Sequence, residues 1–290
     1  MRGYEDTRIV LLSSCSLSSN LVPRTSYLET ILAPPYLRTL VPPKKQFQFI
    51  EVVYQLDNDL WFPDPRLADE DGCLAVGGDL STDRLLLAYQ HGIFPWFSFR
   101  DNDEPVWYCP HERFVIFPDE IHISHSMRTL FNKKKYTFSL NQDFEGVIHN
   151  CSKLRYDEEG AWLGEDIIKA YTELHRQGFA VSVEVWEMNE NGNENGNGNG
   201  NDNENKSQGG KGNGKRLVGG LYGVNIGSAF FGESMFSLVP SGSKMALIFL
   251  AKTMQELGGT IIDCQLKTAH LESMGGRYIS YDEYMKLISS

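Results

Sequence analysis

The sequence has 290 residues, 41% of them hydrophobic, enough to bury a sizeable core in one large or two small domains. A net charge of -11 and a pI of about 5.1 exclude bulk attraction to nucleic acid or an anionic membrane, so any nucleic-acid contact must come from a local basic patch. The five cysteines, Cys15, Cys73, Cys109, Cys151 and Cys264, have no paired spacing and fit a reducing compartment, and no apolar run approaches the ~20 residues of a membrane helix.

In chain order, residues 1–50 differ from the rest. They are rich in Ser, Leu and Pro and carry six Lys or Arg against three acids, which reads as a disordered extension or an organelle-targeting segment. The folded part begins near Trp61. Trp61–Gly72 is a proline-set loop, Gly77-Gly78-Asp79 a turn, and Ser81 caps a helix from Asp83 to Gln90 that Gly92 ends. The aromatic loop Gly92–Ser98 either plugs a core or lines an apolar pocket. Trp107–Arg113 is a second aromatic loop. Cys109, His111, His122 and His125 match no common zinc spacing, so no metal is expected. Lys133, Lys134 and Lys135 form the densest basic cluster, either a solvated face or a phosphate-contacting patch.

Glu165–Gln177, closed by Gly178, is an amphipathic helix with Ile167, Ile168, Tyr171 and Leu174 on one face. The strand Phe179–Trp186 alternates Val181, Val183 and Val185 with Ser182, Glu184 and Trp186. From Met188 to Lys215 there are ten Asn, eight Gly and almost nothing apolar, so 188–215 is a flexible excursion between two strands. Gly219–Ser237 then reads as two half-buried strands meeting at Asn225-Ile226-Gly227. Glu233 lies in the second arm, where a carboxylate must be solvated, paired or put to use. Ser241 or Ser243 caps a helix through Lys244–Leu257. Thr260–Gln265 is a short buried strand, Leu266–Met274 a short helix and Asp282–Ile288 the last one. The mixture gives an α/β to α+β fold with a mixed sheet. Asp263 and Gln265 are two residues apart, so a strand through both places them on one side.

Five segments, in this order, resemble the leucyl/phenylalanyl-tRNA–protein transferase family: Leu74–Leu80 (LAVGGDL), Gly92–Ser98 (GIFPWFS), Val218–Val224 (VGGLYGV), Gly232–Ser237 (GESMFS) and Ile262–Gln265 (IDCQ). The match runs from Trp61 to about Leu287. WYCPHER stands in place of the family's usual WWSPDPR and keeps Arg113, while His91 and His125 stand where relatives often carry Arg. The resemblance implies a small N-terminal domain, 51–112, and a catalytic domain, 113–290, like the acyl-CoA N-acyltransferase fold. It implies a cytoplasmic monomer, without cofactor or membrane contact. It further implies an enzyme that moves Leu or Phe, with Met as a further donor, from aminoacyl-tRNA to proteins beginning with Arg or Lys, marking them for degradation.

The aminoacyl ester is already activated, so the site need only place a neutral α-amine beside its carbonyl and stabilise the oxyanion. The resemblance places Asp263 and Gln265 at the reaction centre, orienting or deprotonating the amine; the residues alone favour Asp263 as the cap of the following helix. Glu233 and Asp263 are the acids for a cationic acceptor. Trp96, Trp162 and Met235, with Leu247 behind them, match the family's donor side-chain pocket. Tyr89 and Tyr171 are placed to hold the terminal adenosine by stacking or hydrogen bonding, and Arg113, Arg128, Lys133, Lys134 and Lys135 to meet tRNA phosphates. Two rivals stand. One is an acetyl-CoA-dependent N-acetyltransferase, whose pyrophosphate loop is not matched by Val239–Lys244. The other is a module that binds tRNA or protein N-termini without transfer.

Overall fold

The computed structural model describes residues 9–10, 53–96, 104–159, 164–188 and 214–289. Most of the expected extension over 1–50, Phe97 and Ser98, Trp162, and residues 189–213 of the Asn/Gly excursion lie outside the described residues.

Two β-sheets organise the chain. The first holds β1 (Ile9–Val10), β2 (Val53–Leu56), β3 (Cys73–Gly77), β4 (Phe94–Trp96) and β5 (Val106–Tyr108) in the order β1-β2-β3-β5-β4. Between β3 and β4 runs α1 (Thr82–Gln90), whose first turn is capped by the Ser81 hydroxyl accepting from Arg84 N. Gly92, at φ +71, reverses the chain into β4, a conformation glycine takes without strain. Arg84 is 1% exposed, and its guanidinium is satisfied by the carbonyls of Asp57 and Asp59, both at 2.9 Å, and by Asp79.

The second sheet follows: β6 (Glu112–Ile116), α2 (His125–Asn132), β7 (Tyr136–Leu140), α3 (Phe144–Glu159), α4 (Glu165–Arg176), β8 (Ala180–Met188), β9 (Lys215–Ile226), β10 (Ala229–Ser237), α5 (Gly242–Leu257), β11 (Ile261–Asp263), α6 (Ala269–Ser273), β12 (Arg277–Ser280) and α7 (Tyr281–Ile288). Its order is β12-β6-β11-β10-β9-β8-β7. All neighbours are antiparallel except β10 and β11, which α5 joins as a parallel crossover. The sheet is therefore mixed, as the sequence predicts.

The sheet buries both faces. Val181, Val183 and Val185 of β8 point toward α5, where Leu221, Phe230, Ile262, Leu247 and Ile248 complete one core. Tyr89, Tyr171, Tyr222, Phe231, Phe236 and Ile261 belong to the other, under α1, α3 and α4. The polar side of β8 is not solvated: Glu184 is fully buried and accepts from the hydroxyls of Ser139 and Ser182, both at 2.5 Å.

Two local expectations are corrected. The β9–β10 hairpin turns at Gly227-Ser228, because Ile226 pairs directly with Ala229 and Gly227 takes φ +58. The helix α5 is capped by neither Ser241 nor Ser243. Ser241 is left-handed, and the acceptor for Ser243 N is the Ser237 hydroxyl from the end of β10, at 3.2 Å. That cap needs the helix start close to the sheet. A Cβ on Gly219 would come within 2.9 Å of the Gly242 backbone, so glycine permits the approach.

Candidate active site

Two irregularities open a cavity in the second sheet. β11 pairs with β10 over Ala229–Phe231 only, whereas β10 runs on to Ser237. Just where they part, the β9–β10 register slips between Gly232 and Ser234, so Glu233 is an extra residue on its strand. The slip resets the alternation. Phe231 and Phe236, five residues apart, face the same core, while Phe230 and Met235 face the other.

A cavity of about 300 Å³ occupies the gap. Gly232, Glu233, Ser234 and Met235 line it from β10, and Ile262, Cys264, Gln265 and Leu266 from the β11 side. Leu247 and Leu250 of α5 and the segment Phe94-Pro95-Trp96 from the first sheet add apolar wall. The structure thus brings together five of the expected residues, Trp96, Glu233, Met235, Leu247 and Gln265. The aromatic loop beginning at Gly92 lines a pocket and also packs on the core through Phe94.

Asp263 and Gln265 do not share a face. The strand ends at Asp263, and Gln265 takes a left-handed conformation at φ +56. Asp263 Oδ1 holds that turn by accepting from Gln265 N at 2.8 Å. Gln265 lines the cavity while Asp263 is 1% exposed and absent from its wall. The other carboxylate oxygen accepts from Tyr284 OH at 2.7 Å and lies 3.3 Å from Arg113 Nε.

Arg113 is likewise 1% exposed, so it is an internal cation and not the surface phosphate contact expected from the sequence. Its Nη2 donates to the carbonyl of Gly92, and its guanidinium lies over the ring of Phe94, at 4.9 Å, and over that of Tyr284, at 4.6 Å. Burial works against its charge, but the Asp263 carboxylate lifts its pKa above the ordinary value. Arg113 therefore ties the segment that carries the Phe94–Trp96 wall to the turn that carries Gln265.

Glu233 is half-buried. Tyr89 of α1 donates to its Oε1 at 2.6 Å and Tyr171 of α4 to its Oε2 at 2.9 Å. Burial pushes the carboxyl up to about 7, against the lowering effect of the two phenols. Tyr89 and Tyr171 are both fully buried, which leaves neither a free ring face for stacking an adenosine. Burial also raises both phenols well above the ordinary tyrosine value.

Arg128, Lys133, Lys134 and Lys135 are exposed at α2 and the turn after it, and Lys135 pairs with Glu187 at 2.9 Å. The stack of Phe131 on Phe138 and of Phe138 on Phe249 fixes α2 to the face that carries α5. The cluster thus shares a sheet face with Leu247 of the cavity wall.

Sequence reasoning missed Tyr284 and the role of Arg113 as its partner. The only local signal for Tyr284 is its spacing from Tyr281 and Ile288 on the inner side of α7. Among the described residues no helix is long and apolar enough to cross a membrane.

The model of a family described as leucyl/phenylalanyl-tRNA protein transferase matches residues 115–193 and 212–289, and the model of that family's N-terminal domain matches 78–111. A leucyl/phenylalanyl-tRNA–protein transferase of Flavobacterium johnsoniae is 42% identical over 240 residues, 82% of this chain and 100% of that protein. One of Syntrophus aciditrophicus is 45% identical over 229 residues, covering 78% of this chain and 84% of the relative. One of Pseudomonas fluorescens is 43% identical over 225 residues, 77% and 87% of the two chains. A solved structure described as that of L-PGS from Bacillus licheniformis aligns over 68% of this chain and 54% of its own at 14% identity and TM-score 0.31, too slight a likeness to support an argument.

Proposed function

The chain belongs to the leucyl/phenylalanyl-tRNA–protein transferase family, and from that premise we propose that it moves an aminoacyl group from tRNA to the N-terminus of an acceptor protein, with Leu or Phe as donors and Arg or Lys as the acceptor's first residue. The observation that carries the reading is the cavity: apolar on most sides, with the Glu233 carboxyl and the Gln265 carboxamide set into its lining. Met235, Leu247 and Trp96 receive the donor's side chain, and Trp162 is assigned there on the family's pattern alone. Apolar walls of this kind favour Leu and Phe over polar side chains by exclusion of water.

The reacting ends meet at the polar residues. Gln265 orients the acceptor amine or the ester carbonyl, and Glu233 attracts the cationic acceptor. Asp263 acts through Gln265, since both of its oxygens are already engaged by protein groups. Arg128 and Lys133 to Lys135 meet the tRNA backbone, where sequence-independent phosphate contacts serve several tRNAs. The residues 51–112 and 113–290 are assigned as the N-terminal and catalytic domains. We place the protein in the cytoplasm as a monomer, and we assign its product the role of a degradation mark.

The acetyl-CoA reading is not favoured, given that the three relatives described above carry the leucyl/phenylalanyl-tRNA–protein transferase name. The test incubates the protein with labelled Phe-tRNA or Leu-tRNA and a peptide beginning with Arg. Label in the peptide supports the proposal, and its absence with every donor rejects it.

A further inference from the structure

The contacts around Glu233 can be read as a count of hydrogens. Tyr89 Oη lies 2.5 Å from Tyr171 Oη and 2.6 Å from Glu233 Oε1, and Tyr171 Oη lies 2.9 Å from Glu233 Oε2. Oxygens this close need a hydrogen between them. Each phenol supplies one, so with Glu233 ionised three contacts share two hydrogens. A proton on Oε1 supplies the third. Glu233 then donates to Tyr89, Tyr89 to Tyr171, and Tyr171 back to Oε2, closing a ring. Both phenols are fully buried, whereas Glu233 also lines the cavity.

Asp263 is poorly placed for the same task, because its oxygens accept from Gln265 N and Tyr284 OH and pair with Arg113. The groups acting on Glu233 are Tyr89 from α1, Tyr171 from α4, Asp263 from β11 and Arg113 from β6. Burial raises its pKa to about 7, the phenols and Arg113 oppose the rise, and Asp263 adds to it.

We infer that Glu233, closed into a ring with Tyr89 and Tyr171 when it holds a proton, is the group that takes the proton from the incoming α-ammonium during transfer. The role rests on the transfer reaction proposed above. The ammonium gives one proton to the carboxylate and becomes a neutral amine. Its lone pair forms the new N–C bond at the ester carbonyl, and the C–O electron pair leaves with the ribose oxygen. The amine's second proton ends on that oxygen, and Glu233 returns the first to water.

The experiment uses Glu233→Gln. The carboxamide donates where a protonated carboxyl would, so it reproduces the loaded ring but accepts no proton. Three results are expected with 3′-phenylalanyl-adenosine and an Arg-starting peptide. The variant folds and melts above wild type at pH 8. Its kcat/KM at pH 7 falls roughly 100-fold, within the range of a positioned acid–base group. The wild-type rate profile has an inflection near pH 7, below the acceptor amine's own near 8, and the variant keeps only the latter. A variant rate within about threefold of wild type, survival of the lower inflection, or a lower melting point at pH 8 overturns the inference. If wild type transfers nothing from any donor, the transfer reading fails and the proton-acceptor role falls with it. The melting comparison, which needs no turnover, still reports whether the ring closes on a proton.

Discussion

The Asp263 carboxylate lies 3.3 Å from Arg113 Nε, with both side chains 1% exposed. The pair joins residues 150 positions apart and sits behind the cavity. Breaking it from one side strands a charge in the interior. Arg113→Met should cost about 3–5 kcal/mol in urea-unfolding stability. Arg113→Met with Asp263→Asn should cost less than the Arg113 change alone, because the stranded carboxylate is gone. A double variant no more stable than the single one contradicts this account of the pair.

Glu233 makes stability depend on pH with a definite sign. Its folded pKa, about 7, stands above the 4.5 of an unperturbed Glu, so the folded state holds more protons between those values. The contribution is full below 4.5 and is lost as pH rises through 7. At pH 8 wild type should therefore be less stable than Glu233→Gln by about 2–4 kcal/mol, and the gap should narrow toward pH 5. Melting curves across that range check it. A gap that widens on acidification reverses the sign and removes the argument.

Leu247 projects from α5 into the cavity wall. Leu247→Phe fills space that a donor side chain needs. Use of Phe-tRNA should fall by roughly 10–100-fold in kcat/KM and use of Leu-tRNA by less, the scale on which a pocket discriminates a few methylene volumes. Equal losses with the two donors place Leu247 outside the donor pocket.

Arg128, Lys133 and Lys134 are exposed cations on α2 and the turn after it, on the sheet face that carries α5. Changing all three to Ala should weaken Phe-tRNA binding and flatten its dependence on salt, by a slope of about 0.7–0.9 for each phosphate that is no longer neutralised. The minimal donor 3′-phenylalanyl-adenosine should react as before. An equal loss with the minimal donor assigns these residues elsewhere.

Much of the fold is legible where periodicity is strong. The helix α4 shows Ile167, Tyr171 and Leu174 at helical spacing, and β8 shows three valines at alternate positions; both form as expected. The helix α2 carries Met127, Leu130 and Phe131 at helical spacing, but over only 8 residues, a run short enough to be passed over. The helix α3 carries Phe144, Val147, Ile148 and Cys151 at helical spacing, yet the sequence reading assigns no element there and misses it.

The site is legible as a set of residues more than as a geometry. Five motifs locate Trp96, Glu233, Met235 and Gln265, but local pattern cannot show what the intervening strand does. A strand drawn straight through Asp263 and Gln265 puts both in the cavity, whereas the left-handed turn at Gln265 separates them. The bulge at Glu233 leaves one trace, the odd spacing between Phe231 and Phe236 on the same face. The partners of Arg113 and Glu233 come from distant segments, so only the folded chain reveals them.

The most direct measurement is the product itself. Purified protein is incubated with Phe-tRNA and a peptide beginning with Arg, and the peptide is sequenced by tandem mass spectrometry beside a copy with an acetylated N-terminus and a reaction supplied with acetyl-CoA instead. One Phe residue is expected on the α-amine of the free peptide, none on the blocked peptide, and no acetylation. An unmodified peptide with tRNA donors, or modification that requires acetyl-CoA, contradicts the proposed transfer.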